Sequence, residues 1–159
     1  MTFETQMVEA GETAPEAAEP YVKPLVNPLS GLANDYLNLF NELVMILEQL
    51  PLMPELYEDL CAWRPIGYRD YFLNSKLPGR HSALAAYDQL NPAFRKRFEA
   101  FVSELDIIAL ASVASVRRLF RDGEPDKARL TETCERGGEK MRHILVRASR
   151  LVNYANLEP

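Results

Sequence analysis

The stretch Asn91–Phe120, NPAFRKRFEAFVSELDIIALASVASVRRLF, decides the fold. Asn91 suits a helix cap, because its short side chain can accept from the unpaired amides of a first turn. Pro92 follows at the one helical position where a missing amide matters little. Phe94, Phe98, Phe101, Leu105 and Ile108 then recur at steps of three and four, continued by Ser112, Ser115 and Leu119. The spacing predicts one helix over 92–120, about 40 Å long at 1.5 Å per residue. Its second half is rich in small residues (Ala109, Ala111, Ser112, Ala114, Ser115), a surface that lets a neighbouring helix come close. Asp122-Gly123 marks the turn that ends it.

Downstream, Leu130, Cys134, Gly137, Met141, Ile144, Ala148, Leu151 and Ala155 keep the same repeat and predict a helix over 126–154. Gly137-Gly138 interrupts it at a cost of about 2 kcal/mol in helix propensity, which suits a close crossing or a kink. Upstream, Leu32, Tyr36, Leu39, Leu43, Ile46 and Leu50 predict a helix over 30–50, with Ser30 as its cap and Pro51 as its stop. Between the first and second long helices, Pro54–Ala62, Tyr68–Asn74 and Arg80–Leu90 read as two or three short helices. No alternating strand pattern appears. The expected architecture is all-α: an up-down bundle of three long helices with short ones filling a fourth side.

The 159 residues amount to one domain and a tail. Residues 1–28 carry five glutamates against Lys23, several prolines and few large apolar groups. They read as a flexible acidic tail before a single bundle domain at 29–157. Residues 25–63 hold six acids (Asp35, Glu42, Glu48, Glu55, Glu58, Asp59) and no Lys or Arg, whereas 64–159 hold 17 bases against 12 acids. The early helices are therefore expected to attract the late ones, within one chain or between chains. The net charge of -5 argues against general nucleic-acid binding, which needs a positive footprint. No apolar run is long enough to span a bilayer and no secretory leader opens the chain, so a cytoplasmic location is expected.

Chemistry is sparse. The two cysteines, Cys61 and Cys134, lack metal-ligand spacing and sit on apolar stripes, as small buried residues do. Neither His81 nor His143 has the Glu-x-x-His spacing of carboxylate-bridged metal bundles, and no metal or cofactor is expected. No nucleophile elbow, zinc motif or phosphate-binding glycine loop occurs, so an enzyme is not the favoured reading.

What remains is association. Trp63-Arg64-Pro65-Ile66-Gly67-Tyr68-Arg69-Asp70-Tyr71-Phe72 holds the only tryptophan, with aromatics and arginines interleaved as in interaction hot spots. Trp63, Arg64, Tyr68, Arg69 and Tyr71 form the candidate contact patch. Alternatively, the aromatics plug one end of the bundle while the arginines pair with acids. Arg117, Arg121, Arg147 and Arg150 form a second, electrostatic patch. The expected function is a non-enzymatic interaction or regulatory module with a protein partner or with itself, as a homodimer through the 92–120 and 126–154 helices. Two alternatives stand beside it: a histidine phosphotransfer module using His143, with Lys140 and Arg147 to neutralise the phosphoryl group, and a small-molecule site between helices.

Overall fold

The computed structural model describes residues 24–155; the expected tail up to residue 23 lies outside them. A 3-10 turn at Asn34–Leu37 leads into α1 (Asn38–Gln49), and another at Pro54–Leu56 leads into α2 (Tyr57–Ala62). Next come α3 (Tyr68–Asn74) and α4 (Arg80–Asp88), then α5 (Pro92–Phe120) and α6 (Lys127–Tyr154). The long helices thus have 16 residues (with the 3-10 turn), 29 and 28, separated by three short ones between the first and second. Among the described residues, the only strand-like pairing is one antiparallel bridge between Val26 and Ala33.

The two longest helices start where the local chemistry places them. The Asn91 side chain accepts from the amides of Ala93 (2.9 Å) and Phe94 (3.4 Å). Asp126 accepts from the amide of Arg129 at 3.0 Å and starts α6. The first long helix departs from expectation. It starts at Asn34, and Ser30 caps nothing there. Instead, the Ser30 hydroxyl donates to the Val152 carbonyl at 2.5 Å and accepts from the Leu32 amide at 3.1 Å. A tertiary partner has claimed the side chain that local sequence assigned to the helix end. Leu25 and Val26, within the stretch read as tail, are partly buried against the core.

α6 lies between α1 and α5, and the α5–α6 crossing is close. A methyl group at Gly137 would sit 2.5 Å from Ser112 Oγ and 2.9 Å from its Cβ. Ser112 and Gly137 therefore serve contact within one chain, whereas Ala111 and Ala114 are exposed. The inward face of α5 consists of Phe98, Leu105, Ala109, Ser112, Val113 and Val116. That face is rotated from the predicted stripe, leaving Ile108, Ser115 and Leu119 only partly buried. α6 buries Leu130, Cys134, Met141, Ile144, Leu145, Ala148, Leu151 and Val152 on the periodic face expected of it. At the α5 N-terminal end, Tyr36, Phe40, Tyr68, Phe72 and Phe98 fill the core with edge-on ring contacts. Such contacts are worth about 0.5–1.5 kcal/mol each beyond the area they bury.

Candidate interaction site

The aromatic stretch lies inside the bundle end. Trp63 is 6% exposed and Tyr68 4%. The indole N–H of Trp63 donates to the Leu39 carbonyl at 2.9 Å, and the Tyr68 hydroxyl accepts from the Ala33 amide at 2.9 Å. Tyr71 is half-buried and its hydroxyl donates to the Asp35 carboxylate at 2.8 Å. Tyr36 closes the set by donating to the Ile66 carbonyl at 2.6 Å. Arg64 and Arg69 are exposed, but both are engaged. Arg64 donates to the carbonyls of Cys61 and Trp63, and Arg69 pairs with Asp88. Trp63, Tyr68 and Tyr71 come together as a plug whose polar tips tie this stretch to α1 and to the 3-10 turn before it, while the exposed Arg69 ties α3 to α4 and Arg64 bonds to its own loop. Burial pushes the Tyr68 hydroxyl up to about 12 against the opposing Ala33 amide, and burial holds those of Tyr36, Tyr71 and Tyr87 higher still, helped by Asp106 at Tyr36, Asp35 at Tyr71 and Glu99 at Tyr87.

The four expected electrostatic residues are dispersed. Arg117 and Arg121 share one pocket of about 440 Å³ at the C-terminal end of α5, together with Ala114, Arg118 and Tyr57. Arg147 lies further along α6, its guanidinium 5.1 Å above the Phe101 ring. Arg150 lines a different feature, the furrow between α1 and α6. His143 is exposed on α6, and Lys140 and Arg147 lie about one turn to either side.

The Arg117 pocket follows from helix geometry. Ala114, Arg117, Arg118 and Arg121 stand at i, i+3, i+4 and i+7, which is one face of a helix. Ala114 leaves a shallow floor, and Tyr57 from α2 forms the side wall, its ring stacked on Phe120 at 4.0 Å. Burial and Cys61 raise the Tyr57 hydroxyl above its ordinary pKa, while the neighbouring Arg117 opposes that rise. Arg118 donates to Ser115 Oγ at 3.2 Å. Among the described residues, none of the three arginines has a carboxylate within 4.0 Å. Of the pocket's lining, the expected electrostatic patch contains Arg117 and Arg121 but not Arg118, Tyr57 or Ala114. The heptad-like spacing was the available signal for Ala114 and Arg118, whereas nothing local points to Tyr57.

Two further surfaces matter. The outer face of α5 exposes Ile107 (68%) and Leu110 (50%) in a row that continues through Ala114 to the arginines. On the opposite flank of α6, the α1–α6 furrow measures about 1060 Å³ and exposes Met45, Val146 and Tyr154. The Arg142–Glu48 ion pair separates it from a second hollow of about 640 Å³ beside Cys134. Burial pushes the Cys134 thiol up to about 11, which disfavours the nucleophilic thiolate. Among the described residues, no group of three or more His, Cys, Asp or Glu side chains is placed to hold a metal, and no helix is long and apolar enough to cross a membrane. No family model, curated protein or solved structure matches the chain.

Proposed function

We propose that this protein is an interaction module that presents the outer face of α5 to an acidic amphipathic helix of a partner. The observation that carries this reading is the exposed Ile107–Leu110 row with bases at both ends. Lys96 precedes Ile107 by eleven residues and Arg121 follows Leu110 by eleven, about three turns each, so both lie in line with the row. An apolar centre flanked by two positive ends fits a helix with an apolar centre and acidic ends. Self-pairing of the same face is disfavoured. An antiparallel copy brings Lys96 of one chain against Arg121 of the other, and a parallel copy stacks each base on itself. The larger α1–α6 furrow carries both signs (Asp35, Glu48, Arg142, Arg150) and so expresses no charge preference.

The test is cross-linking capture with the full chain and with an Ile107→Asp/Leu110→Asp variant. A supporting result is a protein that is lost with the variant, released by high salt and cross-linked to α5 through an acidic helix. A dimer of the chain that dissociates in the variant would instead assign the face to self-association.

A second reading rests on the exposure of His143 between Lys140 and Arg147. Phosphoramidate would transfer its phosphoryl group to the imidazole and release ammonia. The reading requires labelling that is lost in His143→Gln and is faster than at His81, which is also exposed. Equal labelling of the two histidines removes it.

A further inference from the structure

We propose that Arg117, Arg118 and Arg121, together with Tyr57, form a binding pocket for a phosphoryl dianion. The pocket shares Arg121 with the proposed partner face, but Ile107 and Leu110 do not line it, so it can be occupied whether or not that reading holds.

The first argument is geometric. Three guanidinium groups rise from one face of α5 around a hollow of about 440 Å³, whose floor is a single methyl group, Ala114. A guanidinium presents a planar fork of donors that matches two oxygens at once. A carboxylate offers two oxygens and a single negative charge. A phosphoryl group has three terminal oxygens and a charge near -2 at neutral pH, so it can engage several forks together. Tyr57 adds a hydroxyl beside Arg117 and an aromatic wall held in place by Phe120.

The second argument concerns what surrounds these charges. Arg117 and Arg121 are like charges one turn apart, an arrangement that destabilises a helix by a few tenths of a kcal/mol. The negative end of the helix dipole compensates bases in the last turn. Carboxylates are available on facing elements: Glu55, Glu58 and Asp59 around α2, and Asp122 and Glu124 in the following turn. None of them comes within 4.0 Å of the three arginines. Among the described residues, Arg69, Arg136 and Arg142 do find acids, whereas Arg80, Arg95, Arg97, Arg129, Arg147 and Arg150 do not, so what sets the three arginines apart is that they line one hollow together. The dipole end also opposes a bound anion with about half a charge, which three guanidinium groups outweigh.

The experiment is calorimetric titration of the full chain at low ionic strength with inorganic pyrophosphate, O-phosphoserine and glutarate. Saturable one-to-one binding of a phosphoryl compound is expected, with glutarate much weaker. Arg117→Gln and Arg121→Gln should each weaken it about tenfold, the scale of a lost charge-assisted hydrogen bond. Arg97→Gln and Arg150→Gln, which remove exposed bases elsewhere, should leave it unchanged. Circular dichroism checks the fold of each variant, and ³¹P line broadening repeats the measurement independently of heat. Binding of pyrophosphate alone identifies a free phosphate compound, and binding of phosphoserine identifies an esterified one. No saturation below about 10 mM, a free energy under 3 kcal/mol, overturns the proposal. So does glutarate binding as tightly, or equal weakening by the distant arginine variants.

Discussion

Replacing Gly137 by alanine places a methyl group 2.5 Å from Ser112 Oγ, 2.9 Å from Ser112 Cβ and 3.5 Å from a methyl of Leu47. The Leu47 distance is an ordinary contact; the Ser112 distances are not. The Cβ atom is fixed to the α5 backbone, so rotating the hydroxyl away relieves only part of the clash. The next residue supplies the control, because a methyl group at Gly138 meets nothing within 4 Å. Both substitutions gain about 1 kcal/mol of helix propensity and restrict the unfolded chain alike. Their difference therefore isolates the overpacking, about 1–3 kcal/mol. Gly138→Ala should be more stable than the parent by about 1 kcal/mol and Gly137→Ala less stable by up to about 2 kcal/mol. Urea unfolding followed at 222 nm reads both values. Adding Ser112→Gly to Gly137→Ala removes both close atoms, and the double variant should show a coupling that simple addition lacks. Equal stability of the two alanine variants would refute a close α5–α6 crossing at this point.

Three other outcomes follow from side chains already placed. One carboxylate oxygen of Asp106 is buried without a hydrogen-bond partner among the described residues, so Asp106→Asn should stabilise the protein by about 1 kcal/mol at neutral pH. Burial raises the Asp106 pKa, so the folded state binds this proton more tightly than the unfolded state. The parent should accordingly gain on the variant as the pH falls through that raised value, and denaturation midpoints between neutral and acidic pH measure the trend. The raised tyrosines act in the alkaline range. Tyr36, Tyr68, Tyr71 and Tyr87 favour folding below pH 10 and lose that contribution as the pH rises above it. An absorbance titration should therefore show these four ionising only together with unfolding. Finally, half-buried Cys61 should react with a thiol reagent well before buried Cys134 does, and simultaneous reaction would contradict the burial of Cys134.

Punctuation made the fold legible. Asn91-Pro92 and Asp122-Gly123 bound α5, and the repeat of three and four picks out the inward faces of the first and last long helices, whereas the inward face of α5 is rotated from its repeat. The first helix was misjudged at its start because Ser30 suits a cap locally, yet bonds to Val152, 122 residues away. The aromatic stretch was ambiguous for a similar reason. Its composition suits a hot spot or a plug equally well. The deciding partners are the Leu39 carbonyl, the Ala33 amide and the Asp35 carboxylate, all on another element. In the arginine pocket, adjacent positions on a helix such as Arg117 and Arg118 stand about 100° apart, which argues locally against a shared site. Both nevertheless line the hollow, and Tyr57, sixty residues upstream of Arg117, completes it.

The clasp between the start of the described chain and the end of α6 has a consequence for biosynthesis. Ser30 bonds to Val152 and Asn34 to Asn153, so α1 cannot complete its seat until the final turns of α6 have left the ribosome. At typical elongation rates, the intervening chain takes on the order of ten seconds to synthesise. Throughout that interval, Leu39, Phe40, Leu43, Val44, Ile46 and Leu47 have no α6 to cover them. The nascent chain thus carries a sticky amphipathic helix that must be shielded, by a chaperone or by the short helices that emerge next. The α5–α6 hairpin, by contrast, joins neighbours in sequence and can close as soon as it is made.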